Sequence, residues 1–146
     1  MVCTFFGHRD TPVEIQPMLE TVLADLIENR NADTFYVGNH GSFDILVKNT
    51  LKKLKLYYPH INYTVVLAYI PSKKQEFCRD NQSETIYPDG LENTPPKYAI
   101  IERNKWMIKK STYVVTYVNH SFGGAARFKE LSEKSGKTVI NLADYI

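Results

Sequence analysis

Two kinds of hydrophobic pattern take turns along the chain. Short unbroken apolar runs rich in β-branched and aromatic residues alternate with stretches in which apolar side chains recur every three or four positions. Val2 to Phe6 (VCTFF) predicts a first, central strand, broken by Gly7-His8-Arg9-Asp10. Thr11-Pro12 then reads as N-cap and first helical residue, and Glu14 completes a start resembling a capping box. Ile15, Met18, Leu19, Val22, Leu23 and Leu26 recur at helical spacing to about Asn29, a stripe expected in the core rather than against a cofactor. Thr34 to Val37 (TFYV) predicts the second strand. A glycine loop, Gly38-Asn39-His40-Gly41-Ser42-Phe43-Asp44, leads from it into a helix with Ile45, Leu46, Leu51 and Leu54 on its apolar side.

Tyr63 to Ile70 (YTVVLAYI) is the strongest strand signal, expected to be a buried parallel strand. Pro71 to Pro96 holds four of the seven prolines and little periodicity, and reads as an irregular loop. It serves as a lid over a crevice or as an interface arm, and the sequence does not choose between them. Within it Tyr87-Pro88-Asp89-Gly90 is a turn. The segment through Lys110 is expected to be helical, with Arg103, Trp106 and Met107 on one side. Tyr113 to Val118 is a buried strand, Gly123-Gly124 a tight turn, AARFKELSEK a last helix ended by Gly136, and Thr138 to Leu142 (TVINL) the closing strand. The order βαβαβ-loop-αβαβ predicts an α/β protein: one Rossmann-like three-layer sandwich over residues 1–146, its central sheet mostly parallel.

Composition narrows the class. At 146 residues, 43% apolar and 23% charged, the chain is one globular domain with a real core. A net charge of +2 with scattered basic residues argues against a nucleic-acid or anionic-membrane partner. No apolar stretch approaches the ~18 residues that span a bilayer. The start MVCTFFGHRD lacks a signal peptide's basic region and long apolar core, so a cytoplasmic setting is expected. Cys3 and Cys78 lack CxxC or Cys/His ligand spacing, which predicts neither a disulfide framework nor structural zinc. No metal or cofactor is expected.

The candidate chemistry lies where strands end. In an open parallel sheet the carboxyl ends of the strands face the ligand crevice. Gly7 is expected to let the backbone turn, with His8 and Arg9 offering donors to a phosphate. Gly38, Asn39 and Gly41 make a phosphate or ribose loop, and Asp44 either stabilises the following helix or accepts a ribose hydroxyl. Asn119, Gly123, Gly124, Ala125 and Arg127 belong to the strand–glycine turn–helix device after the fifth run, where free N–H groups and the helix dipole hold an anion. Arg103 and Glu130 flank that device as cation and carboxylate, unless they form a plain ion pair between two helices. Lys48, Lys52, Lys53 and Lys55 read as a solvated helix face.

In four places, FFGHRD, VGNHGSFD, IERNKWM and NHSFGGAARFKE, the chain resembles the SLOG superfamily. These Rossmann-like proteins include the Lonely Guy-type phosphoribohydrolases, the DNA-processing protein A fold and small stand-alone bacterial members. The phosphoribohydrolases carry an arginine followed four residues later by methionine, matched by Arg103 and Met107, and a PGGxGTxxE motif. Gly123 and Gly124 match its glycine pair and Glu130 its glutamate, but Phe122 replaces the proline, Ala126 the third glycine and Arg127 the threonine. The overall likeness is greater to the small stand-alone members. It implies binding of a nucleotide or nucleotide derivative, and a homodimer that the apolar pattern does not itself show.

Two functions stay open on this evidence. One is an N-glycosidase acting on a nucleoside monophosphate, with Glu130 stabilising the oxocarbenium-like sugar and Arg103 anchoring phosphate or aiding departure of the base. The other is a catalytically silent module that senses a nucleotide or an ADP-ribose-like signal. Single-stranded DNA binding, the third reading, lacks the concentrated basic patch it needs.

Overall fold

A computed structural model describes residues 1–69 and 84–145. Its strands are β1 (Val2–Gly7), β2 (Thr34–Val37), β3 (Asn62–Val66), β4 (Glu84–Ile86), β5 (Tyr113–Tyr117) and β6 (Thr138–Asn141). Its helices are α1 (Gln16–Asn29), α2 (Gly41–Tyr57), α3 (Ala99–Lys110) and α4 (Gly124–Lys134). The six strands form one sheet in the order β4-β3-β2-β1-β5-β6, every pair parallel. This is a Rossmann-like α/β sandwich with β1 central, as the sequence predicts. Cys3 faces Phe35 on one side and Tyr113 on the other.

Side chains of successive strand residues point to opposite faces, and β1 divides its residues accordingly. Cys3 and Phe5 join the core under α1 and α2, with Leu19, Leu23, Phe35, Phe43, Val47 and Leu51. Phe6 joins the other core under α3 and α4, with Val66, Met107, Ile108, Val114 and Phe128. Thr4 lies on that second face, where its hydroxyl donates to the Tyr36 carbonyl at 2.8 Å. A strand flanked on both edges and both faces explains why VCTFF and YVVTY are nearly continuous apolar runs. Cys3 is wholly buried, which pushes its thiol pKa far up and leaves it unreactive; Cys78 lies outside the described residues.

Several expectations need correction. Thr11 does not cap a helix: its hydroxyl donates to the His8 carbonyl, and a 3-10 turn, Val13–Ile15, precedes α1. The third strand stops at Val66, short of the predicted Ile70. The stretch read as irregular contains β4 and two 3-10 turns, Leu91–Asn93 and Pro96–Tyr98. Half of the stretch given the lid or interface-arm reading, residues 71–83, lies outside the described residues. Ile45 is 62% exposed, because the buried stripe of α2 starts two residues earlier, at Phe43, about 200° around the helix. Lys53 pairs with Glu20 at 3.0 Å, and Lys55 donates to the Ile61 carbonyl, so the lysine face of α2 is partly engaged. Among the described residues no helix is long and apolar enough to cross a membrane.

Candidate functional site

The chain leaves β1 toward β2 on one side, while β5 occupies the other. That reversal opens a crevice beyond the carboxyl ends of the strands. The crevice has a volume of about 430 Å³, within the roughly 300–1,000 Å³ of small-molecule sites. Among the described residues three loops and one helix border it. The β1 loop contributes Gly7, His8, Arg9 and Asp10; the β2 loop and the start of α2 contribute Gly38, His40 and Asp44. The β5 loop and the start of α4 contribute His120, Gly123, Gly124 and Ala125, and α3 contributes Arg103, Asn104 and Met107. The two glycine turns therefore meet at one hollow.

Gly7 does not turn the chain. It ends β1 as an extended residue, and a Cβ there would stand 2.2–2.7 Å from the ring of Phe43. Its missing side chain is what lets α2 pack over the strand end. Gly38 has a comparable task nearer the chemistry: a Cβ would lie 2.7 Å from Asp44 Oδ2 and 3.3 Å from Arg103 Nη2. Gly123 is different again, with φ 92° and ψ 175°, a conformation essentially reserved for glycine.

Arg103 is only 2% exposed. Its Nε donates to Asn104 Oδ1 at 2.7 Å, and its Nη1 donates to the Val66 carbonyl at 2.8 Å and to Asn39 Oδ1 at 3.2 Å. Nη2 approaches His40 Nδ1 at 3.4 Å. The guanidinium thus ties the end of β3 to the β2 loop. Burial lowers its pKa, opposed by the charge of Asp44 and by Tyr69, yet an arginine stays protonated throughout. Asp44 accepts the His40 N–H at 2.9 Å with Oδ2, so its capping role is realised at the first residue before α2.

Burial pushes the Asp44 carboxyl up from 3.8 to about 6, against the lowering effects of the His40 N–H, Arg103 and Lys48. The folded protein then keeps this proton to higher pH than the unfolded chain does, so the contribution of Asp44 to stability declines as pH rises from about 4 to 6. Asp44→Asn mimics the protonated form. It should stabilise the protein at pH 7 by about 2 kcal/mol and by almost nothing at pH 4. Urea unfolding of both proteins from pH 4 to 7.5 checks this, and a pH-independent difference would disprove it. Burial also lowers the pKa of His8 and His40, whose effect has the opposite sense and falls below pH 6.5. The difference between the two proteins, rather than either slope, is therefore diagnostic.

His8 is held in place by the next loop, where the Asn119 N–H donates to its Nε2 at 3.1 Å. Its ring stacks on His120 at 3.8 Å, and His120 stacks in turn on the exposed Phe122 at 4.0 Å. Asn119 thus acts on the crevice through His8 rather than from its wall. Asn39 likewise sits behind Arg103, and Gly41, at φ 89°, packs on the backbone of Arg9. Arg127 is exposed, with its guanidinium 5.9 Å from the Phe128 ring centre, and does not line the crevice. Glu130 does not line it either. It lines a neighbouring cleft with Val118 and Asn141, is bonded to Lys134 at 2.8 Å, and pairs with no arginine among the described residues. Among the described residues the carboxylates at the crevice are Asp10 and Asp44.

His40, Asn104 and His120 border the crevice without having been singled out from sequence. Two of them stand inside the glycine loops GNHGS and NHSFGG, which was the available signal; Asn104, one residue past Arg103, had none. Among the described residues no three His, Cys, Asp or Glu side chains are grouped to hold a metal ion. No family model matches the chain, and no curated protein matches it.

Proposed function

We propose that the crevice binds a nucleotide or a nucleotide-derived phosphorylated ligand, its phosphate set against the Gly123-Gly124 turn at the start of α4. The observation that carries this reading is the meeting of both glycine turns with the guanidinium of Arg103 and the carboxylate of Asp44 at one hollow beside the central strand. The start of α4 supports it further. It has no side-chain cap and no acidic residue in its first turn, which leaves its N–H groups and positive dipole end to an incoming anion. The start of α2, by contrast, is already occupied by Asp44.

Gly124 offers a clean test. It borders the crevice, its φ is not positive, and nothing lies within 4 Å of where a Cβ would stand. Gly124→Val should leave the melting temperature within a few degrees while weakening AMP at least about tenfold, by filling the anion's place and turning away its N–H donors. Calorimetric titration with AMP and ADP-ribose measures this. Unaltered affinity would mean that the phosphate lies elsewhere.

On turnover, the place of Glu130 outside the crevice supports capture without cleavage. Incubation with AMP and assay of free adenine decides between the readings. Base release that disappears in Glu130→Gln would restore the glycosidase. This reading also carries a cytoplasmic setting, a small stand-alone relative of the SLOG superfamily and, from that resemblance, a homodimer that light scattering would detect.

A further inference from the structure

The wall of the crevice holds, side by side, two side chains of opposite hydrogen-bonding capacity. Asp44 gives Oδ2 to the His40 N–H, while Oδ1 has no partner among the described residues and is not sealed from solvent. His40 Nδ1 faces Arg103 Nη2. A guanidinium only donates, so Nδ1 is the accepting nitrogen, and the proton of the neutral ring sits on Nε2. Burial, and then the positive charges of Arg103 and Arg9, keep that ring neutral. The result is an acceptor-only carboxylate next to an imidazole N–H donor, both on the crevice wall.

This combination does not suit a phosphate, which the carboxylate repels. It suits a group that donates from one atom and accepts at its neighbour. The vicinal hydroxyls of a ribose do so, one donating to Asp44 and the other accepting from His40. The lack of a Cβ at Gly38 leaves the carboxylate and guanidinium room to flank the loop that carries His40. Arg103, through its bond to Asn39 and its contact with His40, then acts as a positioning residue for this pair.

We propose that Asp44 and His40 form a sugar subsite that selects ribonucleotides over deoxyribonucleotides. The inference rests on the nucleotide-binding reading and adds to it where the ribose lies. A guanine edge also presents donors beside an acceptor, so the experiment must separate base from sugar. Calorimetric titration of AMP, 2′-deoxy-AMP and 2′-deoxy-GMP into the wild-type protein, Asp44→Asn and His40→Phe does this, with thermal melts as the folding control. In the wild type, AMP should bind about ten- to a hundredfold more tightly than 2′-deoxy-AMP, the range of a charge-assisted hydrogen bond. In whichever variant removes the partner of the 2′-hydroxyl the ratio should fall below about threefold, while the other variant should weaken AMP and 2′-deoxy-AMP alike. Equal binding of AMP and 2′-deoxy-AMP by the wild type would overturn the subsite and leave nucleotide binding standing. So would unchanged discrimination in both variants, or a preference for 2′-deoxy-GMP over AMP. Failure of all three nucleotides to bind would overturn the subsite together with the reading beneath it.

Discussion

Arg103→Met should destabilise the protein by about 3 kcal/mol, because the lost cation leaves buried groups without partners. Methionine keeps the aliphatic stem packed and deletes only the fork. The Val66 carbonyl, Asn39 Oδ1 and Asn104 Oδ1 each lose a donor, and Asp44 loses the nearby charge that holds its pKa down. The pH-dependent difference between Asp44→Asn and its parent should therefore widen in the Arg103→Met background. Urea unfolding measures the loss, and a cost below about 1 kcal/mol would mean that the guanidinium does not hold the β2 loop. Ligand binding gives a second readout. With its fork spent on protein partners, Arg103 should matter about equally for AMP and adenosine. A loss confined to AMP would make it a phosphate contact instead.

The second large effect is expected at Gly7. Gly7→Ala places a methyl group 2.2–2.7 Å from three ring atoms of Phe43, whose side chain is 1% exposed and has nowhere to retreat. Overpacking of this kind costs about 3 kcal/mol, with the strain relieved only by moving α2 off the strand end. The double variant Gly7→Ala/Phe43→Leu should be more stable than the sum of the two single losses allows, by about 1 kcal/mol or more, since the smaller side chain vacates the space that the methyl needs. Strict additivity of the two losses would show that the ring and the methyl never meet.

Much of this architecture was legible from the order of runs and breaks. The apolar strand runs and the helical stripe of α1 reflect burial, and burial follows from being central in a covered sheet. The glycine loops were legible because strand ends in such a sheet face one edge. What stayed hidden depended on rotation about a helix axis. Glu130 lies two residues past the buried Phe128, about 200° around α4, which carries it out of the hollow and into a neighbouring cleft beside Asn119 and Asn141. Matching a motif by spacing counts residues along the chain and ignores that rotation. Ile45 was misplaced for a related reason, since the stripe of α2 begins at Phe43, a residue that reads as part of the glycine loop. β4, at three residues, is too short to leave a periodic trace. For Asp44 the two readings, cap and ligand contact, were never exclusive, because a carboxylate has two oxygens and Oδ2 alone serves the helix start.

The neighbours of β1 have a consequence for how the molecule comes into being. Its pairing with β2 needs only the first three dozen residues, but its pairing with β5 joins Cys3 to Tyr113 and Gly7 to Tyr117. A nascent chain emerging from the ribosome therefore carries a hydrophobic strand with one bare edge until β5 has been made. Loop closure over so long a span is slow, so chains stalled before residue 113 should be the species that aggregate or recruit chaperones. The central placement that builds the hollow also delays it until β5 has joined β1.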